Sequence, residues 1–275
     1  MSSPPDHWQQ HARQWRHLAS PLRPAPTDVA IFEEIAAAAT PADPLCPRAL
    51  LLGVTPELAL MRWPTATRLL AIDRSAGMIT LVWPRHRQPG ALAILGNWRS
   101  PPVAAGTIDL IIGDGCFTIL PYPEGYREVA GGLRQIMAPR ASLALRFFVR
   151  PDRAEPMGKV LADLRAGRIS SFHTCKWRLA AALHGPNGED GVRLADIWQA
   201  WREADYTPPP EAGPGWTEEA VATIGNYRGV ETRYSFPTLA EIRDIFGEYF
   251  REEACRYATY ELAERCPIML FRPRV

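Results

Sequence analysis

A chain of 275 residues, 47% of them hydrophobic, has enough apolar material for one large core with room for an inserted subdomain. Its 31 basic and 30 acidic residues leave a formal charge of +1. They are mixed along the length, without the strongly basic face of a nucleic-acid binder, so nucleic acid is not the expected partner. The five cysteines are an odd number without CxxC or histidine spacing, so they read as reduced thiols in a cytoplasmic protein with no metal site. No apolar run approaches the roughly 20 residues that span a bilayer, and the N-terminus lacks a signal-peptide pattern, so no membrane role is expected.

In chain order, Trp8, Trp15 and Leu18 predict a short amphipathic helix from Asp6 to Leu18. A proline-rich connector, Pro21 to Pro26, leads to a helix from Asp28 to Ala39 with Thr27 as its cap. The most informative stretch follows. An apolar run, Ala49 to Leu52, enters Gly53, and a helix opens at Thr55-Pro56-Glu57. A second run, Leu69 to Ile72, ends on a single carboxylate, Asp73. This is the layout of a parallel βαβ unit that holds a nucleoside: glycine admits backbone close to the ligand, and the strand-terminal acid accepts ribose hydroxyls.

Ser75 caps a helix carrying Met78, Ile79 and Val82 on one face. A run from Ala91 to Leu95 ends at Gly96-Asn97-Trp98, and another from Ile108 to Ile112 ends at Gly113-Asp114-Gly115. A helix is expected from Glu124 to Met137, stopping before Pro139, and a fifth strand from Leu143 to Val149, ending at Arg150. Strand alternates with helix, so the expected class is α/β: a doubly wound, mostly parallel sheet with helices on both faces. Residues 151–215 break that rhythm with three helical segments (about Pro156 to Ala166, Thr174 to Leu183 and Leu194 to Ala204) and the prolines Pro208 to Pro210. They read as an inserted helical cap. The expected division is 1–48 as an N-terminal helical segment, 49–150 as the nucleoside-binding core, 151–215 as the cap and 216–275 as completion of the sheet. In the last part a helix is expected near Thr217 to Tyr227. A capping box, Thr238 with Glu241, then opens a helix, followed by strands near Phe250 to Thr259 and Pro267 to Arg272.

From Ala49 to Val149 these motifs resemble those of the class I S-adenosylmethionine-dependent methyltransferases. The first motif, Leu50-Leu51-Leu52-Gly53-Val54-Thr55, keeps one of the family's glycines and lacks its preceding acid, while Asp73 stands where the family's acid binds the ribose. Asn97-Trp98 replaces an Asp beside an apolar residue at the adenine, and Ile108-Asp109-Leu110-Ile111-Ile112 matches the fourth motif. The resemblance implies S-adenosylmethionine as cofactor and methyl transfer to a small organic acceptor. The alternative is a methyltransferase-like protein that has lost chemistry and serves as a nucleoside-binding or partner-supporting module. A nicotinamide dehydrogenase would need G-x-G-x-x-G after the first strand, and here only Gly53 is present.

The cofactor positions implied are Trp15, Arg23, Gly53, Val54, Thr55, Asp73, Arg74, Ser75, Met78, Asn97, Trp98, Asp114 and Gly115. Trp15 fits core packing as well as a role closing over the cofactor. Arg23, held between prolines, is placed as a bidentate partner for the cofactor's carboxylate. Arg150, Trp177 and Tyr234 are the expected acceptor contacts. Asp114 and His173 are the candidate catalytic groups, although a lone histidine in a helical cap is more often structural.

Overall fold

The computed structural model describes residues 7–39, 41, 43, 46–85, 90–184, 191–209 and 212–274. Asp6 and Pro210, which bound two of the expected segments, lie outside them. The central sheet has seven strands: β1 (Arg48–Leu52), β2 (Arg68–Asp73), β3 (Leu92–Leu95), β4 (Ile108–Asp114), β5 (Met137–Arg146), β8 (Phe250–Arg256) and β9 (Ile268–Pro273). Their spatial order is β3-β2-β1-β4-β5-β9-β8. The first five are parallel, and β9 runs antiparallel to both β5 and β8.

Alternation along β1 explains how both faces are covered. Leu50 and Leu52 join the apolar cluster that contains helix α5 (Glu124–Ile136) and helix α10 (Leu239–Gly247). Ala49 and Leu51 join the opposite cluster with α2 (Pro26–Ala38), α3 (Pro56–Ala59) and α4 (Ala76–Leu81). Successive strand side chains point to opposite faces, so an uninterrupted apolar strand is what a two-sided burial requires. Each such leucine contributes about 1.5–3 kcal/mol by leaving water.

Four local expectations change. The N-terminal helix α1 is shorter than expected, His7–Arg13, with a 3-10 turn at Trp15–His17. Helix α2 starts at Pro26 with Ala25 as cap, not Thr27, because proline's fixed φ suits the first helical position. Asp28 then accepts the Ala25 N–H at 2.8 Å. Strand β5 begins at Met137, where the helix was expected still to run, and ends at Arg146. Its pairing with β4 is irregular between Ile108 and Leu110, and Pro139 sits in that irregular stretch, where no ladder donor is needed. Residues 147–150 leave the sheet, with Phe147 N–H and Val149 N–H donating to the carbonyls of Pro267 and Arg265.

The insert forms α6 (Met157–Arg165), α7 (Phe172–His184) and α8 (Leu194–Glu203), and a two-residue strand β6 (Val192–Arg193) pairs with β7 (Arg233–Tyr234). Helix α9 (Glu218–Ala222) is capped by Thr217 and continues as a 3-10 turn, Thr223–Tyr227. Packing does not divide at Gly215: Trp216, Ile224, Tyr227, Tyr234 and Phe236 share one apolar cluster with Phe172, Trp177 and Trp201. Among the described residues, no helix is long and apolar enough to cross a membrane.

Candidate functional site

The carboxyl ends of β1, β2 and β4 open into a cavity of about 520 Å³, within the range of small-molecule sites. Gly53 ends β1 at φ +90°, a conformation suited to glycine, and its N–H donates to the Ile72 carbonyl at 2.8 Å. A side chain there would stand 3.8 Å from both Asp73 Oδ2 and the Trp98 ring, so the glycine keeps a cradle open between them. Asp73 Oδ1 accepts the Ser75 N–H at 2.8 Å, and Ser75 Oγ in turn accepts the Met78 N–H at 3.3 Å to cap α4. Trp98 Nε1 donates to the Ile72 carbonyl at 2.6 Å, which pins the indole as one wall. Asn97 Oδ1 accepts the Arg99 N–H.

Of the expected cofactor positions, Gly53, Val54 and Thr55 line the cavity from the first strand's turn, and Asp73, Arg74, Ser75 and Met78 line it from the second. Asn97 and Trp98, then Asp114 and Gly115, complete that end, and Trp15 reaches it from the N-terminal segment. The expected acceptor contacts Trp177 and Tyr234 line the same cavity.

Three residues are not brought in. Arg23 pairs with Glu57 and donates to the carbonyls of Trp15 and Leu18, with its guanidinium 5.5 Å from the Trp15 ring, so it braces the N-terminal turn and does not line the cavity. Arg150 turns away to Glu241, at 2.9 and 3.1 Å, because residues 147–150 have left the sheet. His173 is buried off the cavity with Nε2 2.8 Å from the His17 carbonyl. Burial, then the neighbouring Lys176 charge, lowers its pKa to about 3, so it is a neutral structural ring and not a general base.

Asp114 is the acid at the cavity wall. It pairs with Arg146, which also bonds Asp28 at 3.1 Å, the Tyr260 hydroxyl at 2.6 Å and the Pro21 carbonyl at 3.0 Å. Burial pushes the Asp114 carboxyl up to about 6 in spite of Arg146, and the charges of Asp28 and Glu57 add to the rise. Burial alone would lower the guanidinium of Arg146, but Asp114 and Asp28 hold it well above its ordinary value.

Sequence reasoning missed several lining residues. Trp8 and His11 stand with Trp15 at spacings of three and four, and their rings meet edge-on at 5.4 and 6.0 Å, so helical periodicity was an available signal. Phe148, Tyr227 and Thr232 carried no local signal. Among the described residues there is no group of three or more His, Cys, Asp or Glu able to hold a metal ion.

No family model and no curated protein matches this chain. Solved structures do. A Haloferax volcanii protein provisionally assigned as a methyltransferase, solved in complex with the Trm112 methyltransferase activator, is 9% identical with TM-score 0.54, covering 99% of this chain and 100% of that one. DhpI, solved with S-adenosylhomocysteine, is 14% identical with TM-score 0.53, covering 97% and 93%. A Rhodobacter sphaeroides protein provisionally assigned to the zinc-dependent alcohol dehydrogenases is 12% identical with TM-score 0.59, covering 99% and 100%. The chain has the class I S-adenosylmethionine-dependent methyltransferase fold, with its mostly parallel seven-stranded sheet enclosed by helices.

Proposed function

We propose that the cavity binds S-adenosylmethionine and that the protein transfers its methyl group to a small organic acceptor. One observation carries this: the Gly53 cradle, the Asp73 carboxylate and the pinned Trp98 indole meet at the carboxyl edge of the sheet, in a cavity that continues to an aromatic wall of Phe148, Tyr227, Tyr234 and, from the insert, Trp177. The residues fit the cofactor. Asp73 would take the ribose hydroxyls and Asn97 and Trp98 the adenine, all three lining the cavity, and the buried Trp15 Nε1, which has no hydrogen-bond partner, offers a donor.

When bound, the sulfonium supplies an activated methyl group. The chain's own task is then to hold both partners in line and keep water out, and effective molarity from such alignment contributes about 7–11 kcal/mol. Asp114 is the ionisable group at hand to balance positive charge on the ligand. Residues 151–215 act as the cap over the acceptor end through Trp177. No general base is needed for an acceptor that arrives as an anion.

Titration calorimetry tests the cofactor. S-adenosylhomocysteine or S-adenosylmethionine should bind with a micromolar Kd, about −8 kcal/mol. Failure of both, with tight binding of a nicotinamide dinucleotide, overturns the proposal.

A further inference from the structure

We infer that the end of the cavity bounded by Phe148, Trp177, Tyr227 and Tyr234 is the acceptor subsite, and that it takes a small aromatic molecule bearing an anionic oxygen, a carboxylate or a phenolate. The inference rests on the cofactor assignment above and adds the acceptor's chemical class.

The walls are rings set edge to face. Phe148 and Trp177 lie 4.9 Å apart between centroids at 80°, Trp177 and Tyr234 5.8 Å at 67°, and Tyr227 and Tyr234 6.0 Å at 83°. Such walls favour a flat, apolar body. Phe148 is packed directly on Gly115, the neighbour of Asp114, so this end abuts the cofactor end.

Its polar groups are donors. Trp177 Nε1 and Tyr227 Oη are buried and have no hydrogen-bond partner of normal geometry. Burial raises the Tyr227 and Tyr234 phenols, and the Tyr227 hydroxyl faces that of Tyr234 closely enough for a weak hydrogen bond that also shifts both; an acceptor atom on the ligand would replace it. Buried donors left in this way call for an acceptor atom on the ligand.

A ring of aromatic side chains would suit a cation equally well, and charge decides between the two. Two of the four rings already carry a cation: Arg146 stands 5.2 Å from the Phe148 centroid and Lys176 5.0 Å from that of Tyr227. Lys176 is buried, which lowers its pKa to about 7, so near neutral pH it is protonated in part and an anion beside it favours the ammonium. Its hydrogen bond goes to Thr223 Oγ1 at 3.3 Å, and its other close neighbour is the Phe172 ring at 5.6 Å. Among the described residues no carboxylate pairs with it. The charged groups nearby on α7 do not compensate it: His173 is neutral, and Arg178 is committed to Glu155 and Asp163. Arg146 is balanced by Asp28 and by Asp114 at the cofactor end, so the cation without a carboxylate is Lys176. An anion in the subsite meets the donors and holds Lys176 in its charged form, whereas a cation opposes that charge.

Calorimetry on the protein, free and saturated with S-adenosylhomocysteine, tests this with benzoate and 2-naphthoate as carboxylates and 4-nitrophenolate as phenolate. Benzamide is the neutral control and benzylammonium the cationic one. At least one anionic probe should bind about tenfold or more tighter than benzamide, with benzylammonium weakest. The three anions separate carboxylate from phenolate. Trp177→Phe and Tyr227→Phe, which keep the rings and remove the donors, should each weaken the best anion about tenfold while S-adenosylhomocysteine affinity stays within about threefold. Lys176→Met should erase the preference for anion over amide. Tighter binding of benzylammonium, no binding of any anionic probe, or unchanged anion affinity in folded Trp177→Phe and Tyr227→Phe overturns the inference. Anion binding without S-adenosylhomocysteine binding would instead overturn the cofactor assignment and leave the subsite standing.

Discussion

Arg146 and Asp28, 118 residues apart in sequence, form an ion pair in which neither side chain has any solvent exposure. It joins the end of β5 to the first turn of α2. Breaking a buried pair costs about 3–5 kcal/mol when the remaining charge is left uncompensated, but without Asp28 the Arg146 guanidinium still has Asp114. Asp28→Ala should therefore lower the unfolding free energy by less than that, yet by more than the roughly 1 kcal/mol of a surface pair, in chemical denaturation. Arg62→Ala, which breaks the solvent-exposed pair with Glu33, should leave the denaturation midpoint in place. Equal effects of the two substitutions would show that the buried pair is not formed.

Asp73→Ala should weaken S-adenosylhomocysteine binding at least tenfold, since charge-assisted hydrogen bonds to two hydroxyls are worth about 1.5–3 kcal/mol each. The loss of its bond to the Ser75 N–H should lower the melting temperature only slightly. Unchanged affinity in calorimetry would put the ribose elsewhere.

Asp114 sets a pH dependence. With its carboxyl raised to about 6, the free protein carries a mixed population near that pH. A ligand bearing a sulfonium and an ammonium favours the ionised form, so affinity for S-adenosylmethionine should rise with pH through about 6 and binding should release a proton there. Calorimetry in buffers of different ionisation enthalpy measures that proton. Its absence between pH 5 and 7 would mean that Asp114 does not sense the ligand's charge.

His173 gives stability a dependence on acid. Its folded-state pKa is held at about 3, against about 6.5 in an unfolded chain, so the unfolded state binds the extra proton between those values. Stability contributed by the neutral ring is present above about pH 6.5 and is lost as pH falls towards 3. Asp114, raised when folded, acts with the opposite sign between about pH 4 and 6. The difference between wild type and His173→Gln isolates the histidine: it should shrink on acidification. A constant difference would place the ring in water.

Gly115 has φ +60°, and a Cβ there would fall 2.3 Å from Phe148 Cε2. Gly229 has φ +67° and open space around it. Gly229→Ala should cost about 1–2 kcal/mol of left-handed strain. Gly115→Ala should cost clearly more and alter the near-ultraviolet circular dichroism of the Trp177 environment. Equal costs would mean that Phe148 does not pack on this glycine.

Local chemistry made much of this legible in the sequence. The Ser75 cap and the Thr238–Glu241 capping box form from residues three apart, and both are observed. The turn from Gly53 into α3 and the acid ending β2 follow from strand ends and a proline at the first helical position. Choices between distant partners were not legible. Arg23 selects Glu57 from 34 residues away, and Arg150 selects Glu241 from 91, because the fold brings those carboxylates within reach before any ligand does. Tyr227 enters the cavity only because its 3-10 turn packs against α8 and α1, a contact with no sequence period. Nothing local in the sequence marks Arg146 as buried, because its partner Asp28 lies 118 residues away.

The cavity wall draws on the N-terminal segment, the turns that follow β1, β2, β3 and β4, and, far along the chain, Phe148, Trp177, Tyr227, Thr232 and Tyr234. Asn226 is bonded to Gln14 and His173 to the His17 carbonyl, so the N-terminal segment is fastened across the cavity to the later elements. No fragment of the chain contains a complete wall. A binding-competent site thus comes into being only when the last long-range contacts close, and ligand occupancy becomes a readout of complete folding. Bound ligand should stabilise the whole chain as one cooperative unit, by about 2.7 kcal/mol at a hundredfold excess over Kd.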